Sequence, residues 1–124
     1  MINNPYQLIN VGGRKKIQLS EIIMLQADVN YTYIHLIDGS KIMVSYTLKK
    51  LAERFIDFEY FIRPNKSVLM NIKYATSFDG MFLQISLPTG EVLQNAAISR
   101  RKRPFILERM TAFSTAADKF LSFD

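Results

Sequence analysis

The sequence contains no cysteine, which removes disulfide frameworks and thiolate metal sites. It contains a single histidine, His35, inside an alternating aromatic stretch. One histidine cannot supply the several converging ligands of a zinc centre, nor is a base placed beside a nucleophile for a triad. No Gly-rich phosphate loop is present, because Gly12-Gly13 and Gly39 lack the required spacings and partners. No segment approaches the ~18 consecutive apolar residues of a membrane span. The opening MINNPYQLIN has neither the cationic start nor the apolar run of a signal peptide. These absences argue against an enzyme, a metal or other cofactor, and membrane insertion. A cytoplasmic protein is the expectation.

What is present is one domain's worth of chain, 124 residues, with 48% apolar residues, enough to bury a core without staples. Lys and Arg total 16 against 11 Asp and Glu, a net charge of +5. The distribution matters more than the sum. Cations gather at Arg14-Lys15-Lys16, Lys49-Lys50, Arg63 and Lys66, and Arg100-Arg101-Lys102-Arg103, and acids form no comparable run. Patches of one sign favour polyanions. Arg14-Lys15-Lys16 by itself reads as a solvated face.

The hydrophobic period is mostly two. Residues 1–10 read as a polar lead-in and Gly12-Gly13 as a turn. KIQL and Ile22–Leu25 read as short strands, the second well buried. In NYTYIHLIDG, Thr32, Ile34 and Leu36 alternate with Tyr31, Tyr33 and His35, a strand signal ended by an Asp-Gly turn. KIMVS is the return strand. Leu48, Leu51, Ala52 and Phe55 then recur at helical spacing behind Thr47, a suitable N-cap. DFEYFIRPNK reads as a link to the strand SVLMN. KYATSF, a second Asp-Gly turn, MFLQISL and EVLQNAAIS follow as strands, the last weakened where Gln94 and Asn95 break its pattern. Pro104 can open a C-terminal helix carrying Ile106, Met110, Phe113, Ala117 and Phe120 on one stripe. The expected fold is mostly β: small packed antiparallel sheets built from hairpins, with one short internal helix and a C-terminal helix.

Asn30-Tyr31, RPNKS and SRRKR all fall at strand ends, where loops can cluster on one edge. Lys and Arg neutralise phosphates. Arg and Lys donate to guanine, and Asn pairs with adenine. The competing reading is a protein-interaction module that docks an acidic partner through this basic edge or through the C-terminal helix. Charged loops that are simply solvated, a packing role for Tyr31, a turn-shaping role for Asn65 and an Arg63 ion pair with Glu59 or Asp57 stand beside these site readings.

Four blocks, in order, resemble the LytTR domain, the DNA-binding output domain of the LytR/AgrA class of bacterial response regulators in two-component systems. They are LSEIIMLQADVNYTYIHLIDG, KIMVSYTLKKLAERF, YFIRPNKSVLMN and LPTGEVLQNAAISRR. The resemblance covers residues 12–110, leaving 1–11 as a lead-in and 111–124 as a C-terminal helical extension. It implies a transcription regulator that binds double-stranded DNA at repeated half-sites, with loops in the major groove. Asn30, Tyr31, Asn65, Lys66 and Arg100 fall on the base-contacting positions, and Arg63, Ser67, Arg101 and Lys102 on flanking phosphate contacts. It implies a homodimer on DNA and an upstream kinase or membrane regulator as partners. Asn65 stands where the family usually has histidine, and Gln26 where it often has glutamate. The chain has no room for the receiver domain that commonly precedes this one, so a stand-alone regulator or an excised domain is expected.

Overall fold

A computed structural model describes residues 6–112. Its strands form three antiparallel sheets. A two-stranded sheet pairs β1 (Leu8–Gly12) with β2 (Lys15–Gln18). A five-stranded sheet has the order β5-β4-β3-β7-β6. Its members are β3 (Ile22–Asp28), β4 (Tyr31–Leu36), β5 (Lys41–Val44), β6 (Phe61–Asn65) and β7 (Val68–Asn71). A three-stranded sheet has the order β10-β9-β8, from β8 (Ala75–Phe78), β9 (Phe82–Ser86) and β10 (Val92–Ala97). Helix α1 (Leu48–Arg54) links β5 to β6, and α2 (Arg103–Ala112) follows β10 through a short 3-10 turn at Arg100–Lys102.

Local chemistry accounts for most of these boundaries. The Asp38 carboxylate accepts from the Ser40 amide and hydroxyl, and that of Asp79 from the Met81 and Phe82 amides. Both carboxylates self-bond their Asp-Gly turns, with Gly39 and Gly80 at positive φ. These bonds hold both aspartates below their ordinary pKa. The Thr47 hydroxyl accepts from the Lys50 amide and caps α1, whose Leu48 and Leu51 are buried. In α2, Ile106 and Met110, one turn apart, are fully buried, so this end of the stripe folds back on the core. Phe113, Ala117 and Phe120 lie outside the described residues.

Two segments differ from expectation. Leu8–Gly12 falls partly in the stretch read as a polar lead-in, yet it is strand β1, with Ile9 and Val11 buried between exposed or half-buried neighbours. The link before SVLMN holds strand β6, an edge strand. Proline is tolerated there because an edge strand has a side that needs no N–H donor. The β6–β7 register shifts between Ile62 and Asn65, bracketing Pro64.

The core is centred on the five-stranded sheet. Ile22, Ile23, Met24 and Leu25 are consecutive and all fully buried, and β7 is buried throughout. Alternate side chains point to opposite faces, so these two strands are covered on both sides. Helix α1 packs on β1, β3 and β7, while β10 and α2 pack on β6. The one amide side chain this deep among the described residues, Asn71, is satisfied: Nδ2 donates to Ile22 O (3.0 Å) and Oδ1 accepts from the Lys73 amide (3.0 Å).

Candidate nucleic-acid interface

Antiparallel pairing sets which loops meet. Gln26 pairs with Val68, and the Ala27 amide donates to Ser67 O (2.8 Å). The β3–β4 turn, Val29-Asn30, therefore lies beside the β6–β7 turn, Lys66-Ser67. The segment after β10 is sewn to the same place. The Ser99 amide donates to Pro64 O (2.9 Å), and Asn65 Nδ2 donates to Ala97 O (2.6 Å). Lys102 Nζ donates to Arg63 O (2.8 Å). Side chains also brace the corner from within. Asn65 Oδ1 accepts from the Ser67 amide (2.8 Å), and Arg63 Nη2 donates to Lys66 O (3.0 Å).

The result is an open groove of about 1040 Å³ at this sheet edge. Seven of the expected site residues line it: Arg63, Asn65, Lys66 and Ser67 from the β6–β7 corner, and Arg100, Arg101 and Lys102 from the turn after β10. Lys49 of α1, Gln94 and Ser99 complete it. Gln94 reaches this position where the β10–β9 register shifts between Val92 and Gln94, the irregularity behind its broken pattern. No carboxylate lines the groove. Asn30 and Tyr31 do not line it. They sit on the neighbouring turn, Asn30 exposed and Tyr31 46% exposed.

The electrostatics follow from that one-sided lining. Burial and then the nearby Arg63 and Arg101 charges hold the Lys102 ammonium below its ordinary pKa. Arg63 Nε is buried without a hydrogen-bond partner among the described residues. Arg63 does not pair with Glu59 or Asp57. Glu59 instead meets Arg109 of α2 at 3.4 Å, and Arg63 serves the corner through Lys66. Asn65 uses one hydrogen of its amide nitrogen and one lone pair of its oxygen to hold the corner, so one donor and one acceptor remain.

The turn bearing Asn30 is strained. Val29 has φ 55°, and it is the non-glycine residue with positive φ among those described. Positive φ at the first central position of a two-residue hairpin is normally glycine's place. The sequence offered no sign of this, because a β-branched residue there reads as strand. His35 lies well away, at the far half of β4. Its Nε2 meets Gln26 Oε1 at 3.1 Å, and burial followed by the Lys41 charge holds its pKa below the ordinary value. Among the described residues no cluster of acidic, His or Cys groups could hold a metal, and no helix is long and apolar enough to cross a membrane.

Residues 12–110 match the family model of the LytTr DNA-binding domain. No curated protein gives a significant match. Among solved structures, the LytTr DNA-binding domain of a response regulator from Bacillus cereus is similar over 87% of this chain and 98% of its own, with a TM-score of 0.60 at 15% identity. At that identity the likeness is one of fold.

Proposed function

This chain belongs to the LytTr DNA-binding domain family, and from that premise we propose that it is a transcription regulator reading specific duplex sequences with its strand-end loops. The family is one of DNA-binding domains, not of enzymes. The observation that carries the duplex-binding reading is the groove itself. Two segments more than thirty residues apart are stitched by main-chain and side-chain bonds into one edge with six cations and no carboxylate.

Such an edge is costly to the free protein, because like charges crowd it, and it is relieved by a polyanion. The exposed guanidinium of Arg100 and the Lys66 ammonium are suited to guanine O6 and N7. The spare donor and acceptor of Asn65 suit the adenine edge, and Asn30 and Tyr31 meet the bases from the adjoining turn. Ser67, Arg101 and Lys102 contact phosphates, with Arg63 supporting them from behind and meeting a phosphate through its outer nitrogens. Because the corner is braced before DNA arrives, little loop entropy is lost on binding. The loops enter the major groove at repeated half-sites, with two copies of the chain on one operator. An upstream kinase or membrane regulator supplies the signal.

Selection from a random duplex pool tests this. A repeated motif is the expected product, and Arg100→Ala relaxes preference at one base pair by about 1–3 kcal/mol. If about five phosphates are neutralised, log K falls with log salt at a slope near −4.5. No enrichment over bulk DNA would assign the basic edge to an acidic protein partner instead.

A further inference from the structure

We infer that the duplex-contacting surface continues beyond the groove, across α1 to the tip of the β1–β2 hairpin, as a second band of phosphate contacts. This rests on the reading that the groove holds duplex DNA.

The hairpin tip is at the same end of the molecule as the groove. Gly12 lies so close to β5 that a Cβ there would sit 3.7 Å from that of Val44 and 3.8 Å from the Tyr46 ring. Val44 pairs with Thr32, the residue after Tyr31, and Thr32 Oγ1 donates to Tyr46 O (2.8 Å). The tip, Gly13-Arg14, thus adjoins the end of β4 and β5 that carries the Asn30-Tyr31 turn.

Between tip and groove stands an ordered cationic step. Lys50 Nζ lies 4.7 Å and the Arg54 guanidinium 4.8 Å from the Tyr46 ring centroid, within cation–π range. Arg54 Nη1 also donates to Asn10 O (2.9 Å) and Oδ1 (3.2 Å), which ties α1 to the hairpin. On the groove side the next residue, Lys49, is already part of the lining. On the far side, Arg14 and Lys15 are exposed at the tip. Glu53 is the acid of α1, yet none of these cations forms an ion pair among the described residues. Cations run from the groove through Lys49, Lys50 and Arg54 to Arg14, with Glu53 the one exposed acid on α1 beside them.

Length sets the number of contacts. The seven residues of α1 span about 10 Å at 1.5 Å per residue. A DNA strand presents a phosphate every ~3.4 Å of axis, so the band passes about two or three of them. Its continuity with the groove favours DNA over a separate acidic protein. The contacts read no bases, so they strengthen binding to every sequence alike.

The experiment measures salt dependence on two duplexes, one holding only the selected site and one extended by a helical turn on each side. Wild type, Arg14→Gln/Lys50→Gln and Arg100→Ala are compared. Arg54 stays in place because it holds Asn10. The double variant is expected to reduce the slope on the extended duplex by about 1.8, at 0.9 per lost contact, and to leave base preference unchanged. On the trimmed duplex it behaves nearly as wild type does. Arg14→Glu alone, at an exposed tip, is expected to lower the slope by about 0.9, one contact's worth, and serves should the double variant unfold. A wild-type slope for both on the extended duplex overturns the band while leaving the groove reading intact. Failure of the wild-type protein to bind either duplex overturns both.

Discussion

Val29→Gly is expected to make the protein more stable, by an amount that follows from the turn. A non-glycine residue at positive φ costs on the order of 1–3 kcal/mol, and Val29 sits at φ 55°. Relief of that strain is opposed by the added freedom of glycine in the unfolded chain, about 0.4–1 kcal/mol. The lost burial is small. Val29 is 87% exposed, and full burial of valine is worth roughly 1.5–3 kcal/mol, so a few tenths are forfeited. The balance is a gain of about 1 kcal/mol. For 124 residues at about 2.1 cal/mol/K each, the unfolding entropy is roughly 260 cal/mol/K, and the gain raises Tm by about 4 °C. Urea and thermal unfolding of the wild type, Val29→Gly and Val29→Ala check this. Alanine keeps a Cβ at the strained position and gains little. An unchanged or lower Tm for Val29→Gly would refute the strain argument, and an equal gain for Val29→Ala would move the cause from φ to the β-branch.

Other perturbations have equally definite signs. The folded-state pKa of Lys102 is lowered, so the unfolded chain binds more protons just below the ordinary lysine value. Stability therefore rises with pH through that window, and Lys102→Met flattens the rise in pH-dependent urea titrations. Under the proposed Lys102 phosphate contact, duplex affinity runs the opposite way, falling as pH rises through the same window, because the contact needs the ammonium. Asn65→Asp keeps the Ser67 contact but loses the donor to Ala97 O, and loss of that bond costs about 0.5–1.5 kcal/mol, read by denaturation. Gln26→Glu places a carboxylate against His35 and raises its pKa, measured by imidazole NMR titration. The wild-type His35, with its lowered pKa, contributes stability that is lost on acidification below its ordinary value.

The parts of the fold read correctly from sequence were those whose cause is local. Asp38-Gly39 and Asp79-Gly80 carry their own turn chemistry, and Thr47 carries its cap. Strand β1 was missed because its signal is only two buried residues, Ile9 and Val11, on either side of Asn10. Strand β6 was missed because Pro64 reads as a break, and only sheet topology shows that it lies on an edge. At the site, residue types were legible but their bonds were not. Nothing near Arg63 in sequence says that its guanidinium turns to Lys66 O while Glu59 goes to α2. Nor does the pattern of β10 reveal that Gln94 reaches the groove.

The stitching of the groove also bears on folding kinetics. Its ties span 32 residues between Asn65 and Ala97, 39 between Arg63 and Lys102, and the 40 separating Ala27 from Ser67. Loop closure must precede such contacts, so the local hairpins form early and this edge is completed late. A recognition helix can form its reading face from neighbouring residues alone. Here the basic groove exists only once nearly the whole chain is in register, so under the proposed function DNA-binding competence is a late reporter of complete folding, and nascent or partly unfolded chains stay silent.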